Sequence, residues 1–191
     1  MELTSLQALE MLENFKGKTK DDKWIYHSIC VGNSASKIAK ALQLDEEKAK
    51  VLGYIHDIGK SFEKKGHVIN GYNYLRGLGI DEKYANICLT HSFLNNDYFC
   101  TAGGIPEKEP FLIDFLQNHH YTIYEKIINL CDLMCTNVNL TLEKRLIEIM
   151  LRRGVHSNTV YHITEAQKLK REFDEMLGFN IYQLFPDAIN N

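Results

Sequence analysis

Among the residues of this 191-residue chain whose types hold metal ions or move protons, six fall together where a buried core is expected: His27, His56, Asp57, His67, His91 and Asp132. His27 shares a stripe with Val31, Ala35, Ile38 and Leu42, spaced by three and four as one face of a helix. The pair His56-Asp57 follows directly on the apolar run from Val51 to Ile55, so both side chains start near the core. A carboxylate there is costly unless something compensates its charge. His67, His91 and Asp132 fall early or late on other apolar segments. Singly, each has an ordinary explanation, because a lone histidine on an apolar face is more often a hydrogen-bonded core residue than a ligand. Six together are better explained by a divalent cation, which takes neutral imidazole nitrogens and carboxylate oxygens and offsets their desolvation. Neighbouring residues diverge by about 100° around a helix. His56 would therefore serve one ion, while Asp57, with two oxygens, reaches sideways to bridge two.

The elements that must position these residues are helices. One spans Trp24 to Leu42, and a second opens at Asp45, a good N-cap, and runs through Ala49, Leu52 and His56 to Lys60. A third covers His67 to Leu78 with Gly79 as its C-cap, and Asp81 starts a fourth that carries Tyr84, Ile87 and Cys88 to His91. From Ser92 to Pro110, with Asn95-Asn96, Gly103-Gly104 and two prolines, a loop or broken helical excursion is expected. Helical pattern resumes by Tyr124 and runs through Ile127, Leu130 and Asp132 toward Met134. Thr141 caps a helix through Leu151, and Thr164 to Gln167 fits a capping box for a last helix that ends before Gly178. There is no sustained period-2 run, internal repeat or low-complexity tract. The expectation is an all-α, single-domain bundle over 1–191, with its core at 24–154 and a C-terminal helical extension at 155–191.

Composition narrows the function classes. At 45% hydrophobic and 25% charged residues, the chain has the balance of an ordinary globular protein. Its formal charge is −3, and its densest basic stretches, Lys18 to Lys23 and Lys168 to Arg171, are interrupted by acidic or apolar residues. That argues for solvated helix faces and against a nucleic-acid polymer as partner. The five cysteines, Cys30, Cys88, Cys100, Cys131 and Cys135, form no spaced disulfide framework, and Cys131 and Cys135 read as core residues. No leader and no apolar run near the ~18 residues that span a membrane is found, so the expectation is a cytoplasmic protein without a membrane partner.

The run Tyr54-Ile55-His56-Asp57-Ile58-Gly59-Lys60 resembles the signature of the HD superfamily of metal-dependent phosphohydrolases. His27 upstream and Asp132 within Leu130-Cys131-Asp132-Leu133 fall where that superfamily keeps its other core ligands. His67-Val68-Ile69-Asn70-Gly71, followed by Leu75 and Leu78-Gly79-Ile80, resembles its second-metal segment, and Thr90-His91-Ser92 its last histidine. The ordered set is the dinuclear pattern shared with bacterial dinucleoside tetraphosphate hydrolases and, more distantly, with HD-GYP phosphodiesterases, although this chain has no Gly-Tyr-Pro triplet. The resemblance implies a first ion on His27, His56, Asp57 and Asp132, and a second on Asp57, His67 and His91. If one ion binds, His67 and His91 would contact substrate instead. Two are favoured, of iron, manganese, cobalt or nickel.

The function implied is hydrolysis of a phosphate ester or anhydride of a small nucleotide-like substrate by water that the metals activate. Lys60 is the leading candidate for a phosphate contact, by its place four residues after His56, and Arg76 is a weaker one. The segment 92–120, with Tyr98 and Phe99, would either cover the metal mouth and stack a base or be a plain surface insertion. His119-His120 are read as surface or loop residues, and His156 and His162 receive no role. Two alternatives share the fold: a di-iron oxygenase, which uses a similar six-ligand cage, and a nucleotide-sensing module without catalysis.

Overall fold

A computed structural model describes residues 1–62 and 66–191. The described residues form helices and turns with no β-strand; the one bridge-type pairing joins Cys135 and Asn139. In chain order the helices are α1 (Ser5–Glu13), α2 (Lys23–Ala41), α3 (Glu46–Ile55), α4 (His67–Gly77), α5 (Glu82–Ala85), α6 (Ile87–Thr90), α7 (Pro110–Asn118), α8 (Ile123–Asp132), α9 (Leu142–Arg153), α10 (Thr159–Leu177) and α11 (Asp187–Asn190). Short 3-10 turns follow α3, at Ile58–Ser61, and α10, at Ile181–Leu184. No described helix is long and apolar enough to cross a membrane.

The main packing is α2 against α3, and it depends on two glycines. A β-carbon on Gly53 would lie 2.4 Å from the Gly32 α-carbon, so only glycine at both positions lets the two backbones touch. α8 packs on α2 and α3 with Ile127, Ile128, Leu130 and Cys131 buried between them. At roughly 2 kcal/mol for each fully buried large aliphatic side chain, this three-helix seam holds the bundle together. The C-terminal helices join the same core through Ala166, Phe173, Ile181, Phe185 and Ala188. A second apolar cluster, with Val68, Leu89, Phe93, Tyr98, Leu112 and Leu116, fills the space between α4, α6 and α7.

Caps explain several boundaries. The Asp45, Thr122 and Thr141 side chains accept from the backbone of the residue three positions on, and Thr122 with Glu125 closes a capping box. Gly178 follows α10 in the left-handed region at φ +75°, and Gly79 stands just past α4 at the same φ.

The structure corrects the expected elements in five places. The second helix stops at Ile55 rather than Lys60, because the chain tightens into the 3-10 turn that presses it on α4. The fourth is divided at Asn86 into α5 and α6. α7 forms where a loop was expected to run out, with Pro110 in its first turn, where a missing N–H costs nothing. α10 begins at Thr159, so Thr164 lies inside it and gives its hydroxyl to the Val160 carbonyl instead of capping. Finally, α1 carries a capping box of Thr4 and Gln7 that periodicity alone did not reveal.

Candidate metal centre

All six of the singled-out histidines and aspartates converge at the middle of the bundle. α2 brings His27, the chain leaving α3 brings His56 and Asp57, α4 starts with His67, His91 directly follows α6, and α8 ends at Asp132. His56 and Asp57 are each 1% exposed. The approach of His67 depends on a second glycine contact. A β-carbon on Gly59 would fall 1.9 Å from the His67 carbonyl oxygen and 2.5 Å from the Gly71 nitrogen. The 3-10 turn after Asp57 therefore lies directly on the first turn of α4.

The donor atoms form two groups that meet at Asp57. On one side, His27 Nε2 is 3.3 Å from His56 Nε2, 2.9 Å from Asp132 Oδ1 and 3.7 Å from Asp57 Oδ2. His56 Nε2 lies 3.5 Å from Asp57 Oδ2 and 3.9 Å from Asp132 Oδ1. On the other side, His67 Nε2 and His91 Nε2 are 3.4 Å apart and lie 3.5 and 3.3 Å from Asp57 Oδ1. One carboxylate thus turns its two oxygens toward two different sets of imidazoles.

Hydrogen bonds on the far side of two rings define what faces inward. A backbone carbonyl only accepts, so His56 Nδ1 donates to the Gly53 carbonyl at 2.7 Å, and His91 Nδ1 donates to those of Ile87 and Cys88 at 3.1 and 3.0 Å. A neutral imidazole fixed in this way presents a bare lone pair on Nε2. Burial drives the His56 imidazolium pKa down to about 3, so its ring is neutral. Burial also works to raise the Asp57 carboxyl, yet Lys60, His56 and His91 hold it well below the usual carboxylate range. Asp132 is likewise held below the usual carboxylate range: burial opposes ionisation, and the hydrogen bond with His27 outweighs it.

These residues fit a divalent cation on either side of Asp57. Asp57 Oδ1 is buried and accepts no hydrogen bond from any described residue, a costly state for a carboxylate oxygen without a cation. Two donors held about 2.1 Å from one ion at tetrahedral or octahedral angles stand about 3.0–3.4 Å apart. The separations within each group lie near that range. His27, His56 and Asp57 form one set able to hold an ion, and Asp57, His67 and His91 the other, with Asp132 joining the first through its contacts to His27 and His56.

Lys60 also reaches this centre, by a different route from the one expected. It stands in the 3-10 turn, and its ammonium pairs with Asp57 Oδ2, three residues back, rather than following His56 around a continued helix. Arg76 is not brought to the site. It lies at the far end of α4, roughly 13 Å along the axis from His67, where it donates to the Ile80 carbonyl at 2.7 Å and pairs with Glu82 at 3.3 Å.

The segment 92–120 divides. Tyr98 is buried, stacks on Phe93 at 5.2 Å and gives its hydroxyl to the Glu107 carbonyl, which removes it as a base-stacking surface; Phe99 is exposed. Asn158, from the start of α10, donates to the carbonyls of Phe99, Thr101 and Gly104 and ties the segment down. His119 is half-buried and bonds Glu125 at 2.7 Å, within the α8 capping box.

One positioning residue escaped the sequence reading. Asn129, three positions before Asp132 on α8, donates to the carbonyls of Thr90 and His91 at 3.0 and 2.8 Å and so locks the end of α6 that carries His91. Tyr121 assists, donating to the carbonyls of Thr90 and Phe93. The available signal was a polar amide among the buried apolar residues of α8, one turn ahead of a ligand.

Residues 24–137 match the family model described as HD domain. Ribonuclease Y of Mesoplasma florum is 41% identical over 70 residues, covering 35% of this chain and 14% of that protein. Ribonuclease Y of Mycoplasmoides gallisepticum is 32% identical over 108 residues, 54% of this chain and 16% of that protein. The chain thus spans 16% or less of the length of these curated relatives. Among solved structures, the HD domain of the Listeria monocytogenes phosphodiesterase PgpH superimposes over 90% of this chain and 95% of its own, with a TM-score of 0.50 and 15% identity, a resemblance of fold. With the match spanning the metal centre from before His27 to beyond Asp132, the chain belongs to the HD-domain family.

Proposed function

We propose that this protein is a metal-dependent phosphohydrolase that cleaves a phosphate ester or anhydride bond of a small, nucleotide-like substrate. The observation that carries the reading is the bridging posture of Asp57, whose two buried oxygens face two separate sets of imidazoles. Divalent ions held there supply a nucleophilic water near neutral pH and a positive field for the phosphoryl oxygens. The protein's own residues hold the donors rigid. His56 and His91 are fixed by backbone carbonyls behind them, and His91 is further fixed through the grip of Asn129 on its carbonyl. Lys60, with 29% of its side chain exposed, is a cation beside the centre and would exchange its contact with Asp57 for a phosphate oxygen.

The relatives named as ribonucleases act, by that name, on RNA, whose linkages are phosphate esters; this supports the bond class. The charge of −3 and the interrupted basic stretches support a small substrate over a polymer here. The experiment is a metal analysis of the protein purified without added metal, followed by a screen of mononucleotides, dinucleoside polyphosphates and a short oligoribonucleotide. Expected are bound divalent metal and turnover of a small nucleotide, both lost in Asp57→Ala. Full turnover in that variant would overturn the hydrolase reading, and turnover of the oligoribonucleotide alone would overturn the small-substrate part.

A further inference from the structure

On the face of α2 away from its contact with α3, a cleft of ≈ 590 Å³ opens between that helix and the chain leaving α8. Tyr26, Cys30, Ser34 and Lys37 line it from α2, and Val138 and Asn139 from the opposite side. Of the five cysteines, Cys30 alone is not fully buried. It stands one turn before Ser34 on α2, and the Ser34 hydroxyl accepts from Cys135 Sγ at 3.5 Å. The Asn139 amide donates to both, at 3.4 Å to Cys135 Sγ and 2.7 Å to Ser34 Oγ. Cys30 thus lines a solvent-facing cleft with the buried Cys135 as its neighbour, and Lys37 brings an ammonium to the same cleft.

We propose that Cys30 and Cys135 form a reversible thiol–disulfide pair opening onto this cleft, with Cys30 as the attacking thiol and Cys135 as the resolving one. The co-reactant is a low-molecular-weight disulfide. Cys30 thiolate attacks one of its sulfurs, that S–S bond breaks, and one small thiolate leaves. Cys135, giving its proton to water, then attacks Cys30 Sγ and expels the second small thiolate. Two protein thiols are oxidised to a cystine, the reagent is reduced to two thiols, and the two protons lost by the protein end on them.

The surroundings set this order of attack. The Cys135 hydrogen bond, assisted by His27, Ser34 and Lys37, lowers the Cys30 pKa against the effect of burial. Burial raises Cys135 well above the ordinary thiol value, drives Cys131 the same way and takes Cys100 up to about 12. The partly buried member of the pair is therefore a better nucleophile than the fully buried one. Cys30 and Cys135 each stand three residues beyond one partner of the His27–Asp132 contact. A cystine would tie α2 to the α8 exit about one helical turn from the metal centre.

The test uses the full chain, reduced, freed of reductant and incubated with oxidised glutathione. Remaining thiols are trapped with iodoacetamide and the peptides mapped by mass spectrometry. Expected is a cystine linking Cys30 to Cys135, reversed by dithiothreitol, with Cys88, Cys100 and Cys131 alkylated only after denaturation. Cys135→Ser should stop at a glutathione mixed disulfide on Cys30, and Cys30→Ser should take up none. Without any variant, native alkylation of Cys30 should outpace that of Cys131 by roughly tenfold or more. A Cys30–Cys131 linkage, a mixed disulfide persisting in the unaltered protein, or equal alkylation of Cys30 and Cys131 would each overturn the proposal.

Discussion

A buried aspartate kept ionised by its neighbours is the residue on which the centre turns. Asp57→Asn preserves volume and shape but removes the charge and half of the acceptor capacity. Because Asp57 faces both donor groups, its loss is expected to weaken metal retention on both sides. The effect should exceed the roughly 10–100-fold typical of losing a partner behind a ligand. Metal content after dialysis, read by mass spectrometry, checks this; unchanged content would contradict the bridging role. Asn129 acts one layer out. Asn129→Ala leaves the His91 carbonyl without its side-chain donor and should cost about 1–3 kcal/mol, read as a lower urea midpoint with an unchanged slope. The adjacent Tyr121 retains its bond to the Thr90 carbonyl, which keeps the loss below that of the whole network.

At the scale of elements, side-chain chemistry matters less than how closely backbones approach. Gly32 against Gly53 sets α2 on α3, and Gly59 against the first turn of α4 brings His67 to Asp57. Gly59→Ala is expected to separate that turn from α4, because the added β-carbon meets a carbonyl oxygen rather than a flexible side chain. A cost of about 2–3 kcal/mol follows from overpacking of this kind. Urea unfolding measures it, and metal analysis should show loss at the His67–His91 side even where the fold survives. Gly77→Ala, at a position where a β-carbon meets nothing, is the control and should leave metal retention unchanged.

For the molecule as a whole, acid stability is expected to depend on a histidine outside the six-ligand set. His162 on α10 is buried beside Leu146 and Met150 of α9, and burial lowers its pKa to about 4 from the ordinary 6.5. In the unfolded chain it takes a proton as pH falls through about 6.5; in the folded protein it stays neutral until about 4. The contribution is complete above the unfolded value and is lost as pH drops toward the folded one. Between about pH 7.5 and pH 5 this amounts to about 2 kcal/mol. His162→Leu should therefore lose less stability over that interval than the unaltered protein, by paired urea titrations; equal losses would contradict the assignment. The same packing makes the C-terminal helices part of the core, with Phe173 and Ile181 fully enclosed. Truncation after Arg153 should expose that apolar surface, seen as dye binding and a lowered melting temperature.

The chain by itself determined which residues would meet. Helical periodicity put His27, Asp57 and Asp132 on inward faces, and buried carboxylates among imidazoles call for a cation wherever the helices lie. The all-helical class and the N-caps Asp45, Asp81 and Thr141 were legible for the same reason: they are local, set by side chains within a turn of the backbone they satisfy. Tertiary structure decided the rest. It ended α3 at Ile55 and wound Lys60 onto Asp57 through a 3-10 turn, because that turn must fit against α4. It spent Arg76 on Ile80 and Glu82, buried Tyr98, and set Asn129 behind His91. None of these outcomes has a period in the sequence. Each follows from what a distant segment presents at that point in space, where a carbonyl needs a donor or a β-carbon has no room.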